Sequence, residues 1–537
     1  MQYKTMGVML DMSRNAVMKV SQLKKYIDYL AAMGFNALEL YTEDTFKLEG
    51  EPYFGYLRGG YTAAEIKEVD AYAASKGIEL IPCIQTLAHF THFAKSLHFK
   101  LDLMDCDDIL LIGEPKVYEF IDKMFKTLAE NFTSRKVNIG MDEAHNVGLG
   151  KYLERNGYRN RSEILVEHLN KVSEIAGKYG FKCHMWSDMF FRLITGGEYY
   201  LTEETKDVRV SPEIAAKVPE NVALAYWDYY TTDKKKYDLM FDKHLEFNRE
   251  IWFAGGAWAW MGFAPLGKFT LKSMRPAMES VHEKGIENVI FTVWGDNGKD
   301  CSYFAILPTL YVLRQFADGN YDVDAIKADM KEKFGWDYDE WLDLDLPNDL
   351  RKKGVAYDNW NCVYKIMAFT DPFLGLRDVD YASFDRIPYA QYGKKIASHA
   401  KNAGEFSYIF DTLAKLCAYL EHKADLGIRT RALYQARDKQ GLKKIAKEYD
   451  ETVKALDVFA AAQKDLWFYE NKPFGWEVQE VRIGGIRARL LSCKERLLAF
   501  VNGKIDEIEE LEENLLDSGG YEFGYHLYHE TYGPSNL

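Results

Sequence analysis

The sequence predicts an α/β protein, a (β/α)8 TIM barrel over residues 1–318 followed by a mainly α-helical domain over 319–537. Three observations carry this reading. Short apolar runs alternate with amphipathic stretches from the first residues onward, which marks βα repetition. About eight such runs precede residue 318, the number and roughly the length that a closed parallel barrel needs. Beyond the acidic, proline-bearing stretch at 336–349 the strand signals stop and apolar residues recur every three to four positions.

Residues 6–10 form the first run and lead into Asp11, and Leu23, Ile27 and Leu30 follow at helical spacing. A second strand at 37–41 ends on Thr42, Glu43 and Asp44. Thr62 with Glu65 three residues on is a capping box, and Gly77 is a helix stop before a third strand at 78–84. After a helix at 117–128 the fourth strand starts at Lys136 and runs through Gly140 and Met141 onto Asp142 and Glu143. Runs at 182–188, 222–228, 251–258 and 288–294 complete the series. Polar and aromatic residues collect where these strands end, the catalytic face of such a barrel. In the C-terminal part Leu413, Leu416, Leu420, Ile483, Ile486, Leu490 and Leu497 form buried helical stripes.

Composition removes several function classes. No run of about 18 uncharged apolar residues occurs, so a membrane span is not expected. No apolar signal core is seen near the first residues, so a cytoplasmic location is expected. The seven cysteines are scattered singly, without a CxxC pair or a His spacing suited to zinc, which fits reduced thiols. A net charge of −14 disfavours a general nucleic-acid role. Aromatic residues make up 15%, and flat Trp and Tyr faces suit sugar rings as well as cores.

Asp142 and Glu143 stand side by side at a strand end, where ionising both is costly and proton transfer is favoured. The plain alternative is an acidic residue capping the next element. The strand ends also supply Asp11, Glu43, His89, Trp186, Asp188, Tyr226, Trp227, Asp228, Trp258, Trp260, Trp294 and Asp296. Each alone has a structural explanation. Together they describe a polar pocket with aromatic walls, suited to a carbohydrate more than to an anionic ligand, for which Arg and Lys are expected.

At these residues the sequence resembles glycoside hydrolase family 20, the β-N-acetylhexosaminidases, in its compact bacterial form without an N-terminal α/β domain. Gly59-Gly60-Tyr61-Thr62 and the run from Gly77 to Pro82 are similar to the approach to that family's third strand. Gly140-Met141-Asp142-Glu143 resembles its catalytic pair, Tyr226-Trp227-Asp228 its Tyr-x-Asp motif, and Trp294-Gly295-Asp296 its Trp-x-Glu motif. The resemblance implies a retaining exo-enzyme whose substrate supplies its own nucleophile through the 2-acetamido oxygen. It implies Glu143 as the proton carrier, Asp142 as the group orienting the acetamide, and Tyr226 as its hydrogen-bond donor. Trp186, Trp294 and one of Trp258 or Trp260 would box the methyl group. Asp228 and Asp296 would hold outer hydroxyls, His89 would tie into the carboxylates, and Glu43 and Trp227 would complete the substrate site. Small oligosaccharides are the implied partners, with no metal or organic cofactor, and the C-terminal helices are candidates for a homodimer interface. The sequence departs from the family at Met6, where an Arg is usual, and at Gln85 and Asp296, where acidic residues and Glu are usual. Two other readings stand beside this one: an acetamido-directed hydrolase of the O-linked N-acetylglucosaminidase type, and a non-catalytic sugar-binding protein.

Overall fold

The computed structural model describes residues 2–202, 204–517, 523, 524, 528, 532 and 533. The chain divides into two compact units, one of residues 1–257, 270–294 and 309–323, the other of residues 258–269, 295–308 and 324–537.

In the first unit eight parallel strands close into a barrel in chain order. They are β1 (Thr5–Asp11), β2 (Ala37–Tyr41), β3 (Glu79–Cys83), β4 (Lys136–Asn138), β5 (Lys182–Trp186), β6 (Val222–Asp228), β7 (Ile251–Gly256) and β8 (Asn288–Val293). Pairing of β8 back onto β1, from Thr5 opposite Asn288 to Leu10 opposite Val293, completes the ring. The predicted (β/α)8 barrel is therefore the fold, with β7 and β8 ending slightly before the runs that announced them.

The helices form for local reasons that the sequence carries. Helix α1 (Val20–Met33) buries Leu23, Tyr26, Ile27 and Leu30 on one stripe and stops at Gly34, whose φ of +85° favours glycine. Helix α2 (Ala63–Ser75) opens on the expected capping box: Thr62 Oγ1 accepts from the Glu65 N–H at 3.2 Å, and Glu65 accepts from the Thr62 N–H at 2.8 Å.

The barrel strands are buried on both faces, so hydropathy does not reveal which side chains point inward. Register does. Glu39 of β2 and His184 of β5 meet at 2.7 Å, and the His184 ring stacks on Trp252 of β7 at 3.9 Å. Three strands converge here, so these side chains fill the barrel interior. Paired residues on neighbouring strands share a face, and the face alternates along each strand. Met9 pairs with Glu39, Asn138 with His184, Ala225 with Trp252 and Asn288 with Trp252. Stepping by two places Asp11, Tyr41, Trp186, Trp227 and Trp294 on the inner face. The same count puts Met6, Tyr226 and Asp228 on the outer face.

In the second unit, helix α3 (Ser407–Lys423), helix α4 (Lys439–Glu470) and helix α5 (Trp476–Val501) bury the predicted stripes, including Leu413, Leu416, Leu420, Ile483, Ile486, Leu490 and Leu497. A buried ion pair, Lys365 to Asp300 at 2.6 Å, and a hydrogen bond from Gln463 to the Asp300 carbonyl at 2.8 Å fasten residues 295–308 within that unit.

Candidate active site

After β4 the backbone turns through a run of left-handed residues, Gly140 (φ +71°), Met141 (+71°) and Glu143 (+52°). Non-glycine residues seldom adopt this region, and such strain collects at functional sites. Gly140 must be glycine, because a Cβ there would sit 2.0 Å from Gln85 Oε1 and 2.9 Å from the Ile84 carbonyl. Side chains from neighbouring strand ends hold the turn. Asn138 Oδ1 accepts from the Gly140 N–H at 3.0 Å, Gln85 Oε1 from the Met141 N–H at 3.2 Å, and Asp188 Oδ2 from the Glu143 N–H at 3.1 Å.

This turn gives the two adjacent carboxylates different surroundings. Asp142 is buried, and its oxygens face Gln85 Nε2 at 2.8 Å and His89 Nε2 at 3.1 Å. Burial alone would raise the Asp142 pKa, but the His89 charge and the hydrogen bonds from His89 and Gln85 outweigh it and hold the carboxyl below its ordinary value. His89 answers in kind. Burial lowers its pKa, and the Asp142 carboxylate more than restores it, to about 9. The Glu143 side chain is 44% exposed and lies 3.8 Å from His89 Nε2. Asp188 is fully buried, and burial with the charge of Asp142 pushes its carboxyl up to about 7 against the pull of Arg192.

From Asp142 a polar chain runs along the inner strand ends. Gln85 Nε2 also donates to Tyr41 Oη at 2.9 Å, Tyr41 donates to Glu43 Oε1 at 3.0 Å, and Arg14 pairs with the same Glu43 oxygen at 3.0 Å. Arg14 further approaches Asp11 at 4.0 Å. Met6 lies near the start of β1 and faces outward; at the strand's other end the guanidinium beside Glu43 is that of Arg14, a residue the strand-end reading passed over although it follows Asp11 by three positions.

Aromatic side chains wall this end of the barrel. Trp294 lies 4.9 Å from the Tyr41 ring and 5.9 Å from Trp186. The Tyr229 ring lies 6.5 Å from Trp294 and stacks on Trp227 at 5.4 Å. Among the described residues, buried Trp186 Nε1 and Glu43 Oε2 find no hydrogen-bond partner.

The structure thus brings together Glu43, His89, Asp142, Glu143, Trp186, Trp227 and Trp294. It does not bring Tyr226 or Asp228 to this inner group. Tyr226 packs outward against Phe241 and His244, at 5.1 and 5.0 Å, and donates to Asp228 at 2.9 Å. Asp228 also accepts the N–H groups of Tyr230 and Thr231, at 2.9 and 3.0 Å, and so shapes the turn after β6. The expected site roles of both are corrected by strand phase, and the inward tyrosine is Tyr229. Trp258 and Trp260 belong to the second unit, where they stack on each other at 4.3 Å. Asp296 opens a short 3-10 turn, Asp296–Gly298, in the same unit.

His89, Asp142 and Glu143 also offer ligand-type atoms within 4.8 Å of one another, the one such group of three among the described residues. His89 spends its Nε2 on Asp142 and is protonated near neutrality, which works against a cation there. Among the described residues no helix is long and apolar enough to cross a membrane.

Residues 3–237 match the model of the catalytic domain of glycosyl hydrolase family 20, and residues 339–522 match that of the glycoside hydrolase 20C C-terminal domain. A β-hexosaminidase of Akkermansia muciniphila is 28% identical over 171 residues, covering 26% of this chain and 34% of that protein. Human hexosaminidase D is 24% identical over 232 residues, covering 40% of this chain and 43% of that protein. The chain therefore spans less than half the length of these curated relatives. Among solved structures, a β-N-acetylhexosaminidase from Bacteroides fragilis aligns with a TM-score of 0.47 at 18% identity, covering 63% of this chain and 71% of that one. An exo-β-N-acetylglucosaminidase from Vibrio harveyi aligns with a TM-score of 0.46 at 17% identity, covering 64% and 58%.

Proposed function

We propose, from the premise that this chain belongs to glycoside hydrolase family 20, that it is a retaining exo-β-N-acetylhexosaminidase releasing a terminal β-linked N-acetylhexosamine, GlcNAc or else GalNAc, from short oligosaccharides. The observation that carries this reading is the split of the acidic pair: Asp142 is buried and held ionised by His89 and Gln85, while Glu143 beside it is half-exposed in an aromatic-walled mouth.

That split suits substrate-assisted catalysis. The acetamido oxygen attacks the anomeric carbon as the bond to the leaving oxygen breaks, and Glu143 gives that oxygen its proton. Asp142 accepts the acetamide N–H and stabilises the positive charge that develops on the oxazolinium ring. Water then adds to the anomeric carbon from the face the leaving group vacated as its bond to the acetamido oxygen breaks and the acetamide re-forms, Glu143 takes the water's proton, and the configuration is retained. Tyr229 takes the part of hydrogen-bond donor to the acetamido oxygen, and Trp186 and Trp294 enclose its methyl group. Arg14 and Glu43 are the polar groups suited to the outer hydroxyls. Dispersed thiols, none of them disulfide-bonded, suit a reducing compartment.

Glu143→Gln tests the assignment. Turnover of an aryl N-acetylglucosaminide should fall by roughly 10²- to 10⁴-fold, the usual worth of general acid–base help. An N-acetyl-thiazoline mimic should inhibit the unsubstituted enzyme, and the glucoside lacking the acetamide should resist it. Near-full activity of the variant, or efficient glucoside cleavage, would remove this reading.

A further inference from the structure

Asp188 is buried at the end of β5 and opens the helix Asp188–Thr195, and neither oxygen of its carboxylate is at the surface. One of these oxygens, Oδ2, accepts both the Glu143 N–H at 3.1 Å and Arg192 Nε at 2.9 Å. Arg192 lies one turn along the same helix. It is anchored on its far side by donation to the Gly197 carbonyl at 2.9 Å, and its guanidinium rests over the rings of Tyr199 and Trp227 at 5.7 and 5.9 Å. The Asp188 carboxylate therefore has little freedom to move.

What it holds is the strained residue. Glu143 has φ +52°, and a non-glycine residue keeps such a conformation only where surrounding groups impose it. Asp142, the preceding residue, is fixed through its side chain by Gln85 and His89. Among the described residues Glu143 makes no comparable side-chain tie: its carboxylate lies 3.8 Å from His89 and reaches solvent. Its direction is set by its backbone.

We propose that the Asp188–Arg192 pair is the positioning device of the acid/base group, fixing the Glu143 backbone N–H so that the Glu143 carboxylate points at the leaving-group oxygen. Asp188 acts through Glu143 and does not touch the substrate. The inference rests on the hexosaminidase reading above and adds to it a residue pair outside the acetamide site.

A misdirected acid harms reactions that need a proton more than reactions that do not, and this separates positioning from general loss of structure. In Asp188→Ala, kcat/KM, which reports the step that expels the leaving group, should fall about 100-fold on a GlcNAc glycoside with an alkyl or sugar leaving group, while on the 2,4-dinitrophenyl glycoside it loses less than about fivefold. Asp188→Asn keeps the size and one acceptor for the Glu143 N–H, so it should fold and show the same skew at smaller amplitude. Equal losses on both substrates, or no loss, in the folded Asn variant would overturn the proposal. Failure of the unsubstituted enzyme on both substrates would instead overturn the hexosaminidase reading itself.

Discussion

The His89–Asp142 contact makes a prediction whose size and sign follow from the structure. His89 sits 3.1 Å from Asp142, and the carboxylate lifts its pKa from 6.5 to about 9 against the opposing effect of burial. At about 1.4 kcal/mol for each tenfold change in proton affinity, this rise corresponds to roughly 3–4 kcal/mol of stabilisation of the folded barrel. Because the folded value is the raised one, this stabilisation is complete below pH 6.5 and fades as the pH climbs through 9. Replacing His89 with Gln keeps a donor to Asp142 but removes the titration. The wild-type protein should therefore lose thermal stability between pH 6.5 and 9 by roughly 5 °C more than His89→Gln does, a conversion suited to a unit of this size. Imidazole resonances followed by NMR should contain one ring titrating near 9 that vanishes in the variant. A His89 midpoint at or below 6.5, or parallel pH curves for the two proteins, would refute the argument.

Tyr229→Phe should lower kcat on N-acetylglucosaminides by roughly 10- to 100-fold, because the proposed donor to the acetamido oxygen is removed. Tyr226→Phe removes a buried hydroxyl from Asp228 and should cost about 1 kcal/mol of stability with near-normal kcat. The reverse pattern would return Tyr226 to the site. In Gly140→Ala the new methyl collides with Gln85, so kcat should collapse together with roughly 1–3 kcal/mol of stability, read by turnover and thermal midpoint. Arg14→Gln should raise KM for GlcNAc glycosides more than it lowers kcat, and an unchanged KM would exclude Arg14 from hydroxyl binding.

Most of the barrel was legible because βα periodicity and capping chemistry are local. The Thr62–Glu65 box and the Leu23, Ile27 and Leu30 stripe stand where the sequence placed them. The acidic pair, His89, Trp186 and Trp294 were also legible, since each stands at a strand end. Strand phase was not. Residues 222–228 read Val-Ala-Leu-Ala-Tyr-Trp-Asp, and all seven are buried, so nothing in their hydropathy separates Tyr226 from Trp227. The available signal was the pair of alanines. Ala223 and Ala225 sit on the inner face beside His184 and Trp252, where a larger side chain would compete with that stack. Small residues alternating with large ones would have marked Trp227 and Tyr229 as inward.

The backbone also explains how two neighbouring carboxylates come to lie in different surroundings. In a regular strand, Asp142 and Glu143 would point to opposite faces, one to the barrel interior and the other to the helix layer, and Glu143 would be lost to the mouth. The turn that begins at left-handed Gly140 and Met141 brings the Asp142 carboxylate to Gln85 and His89. The same turn continues through left-handed Glu143 and leaves its side chain toward solvent instead of against the helices. The strain of that turn is therefore tied to the proposed chemistry: straightening it would restore a normal strand end and bury the carboxylate proposed as proton carrier. Three of the hydrogen bonds that keep the turn bent come from side chains on three strand ends, Asn138, Gln85 and Asp188, and these positions link the barrel's register to the direction of its acid.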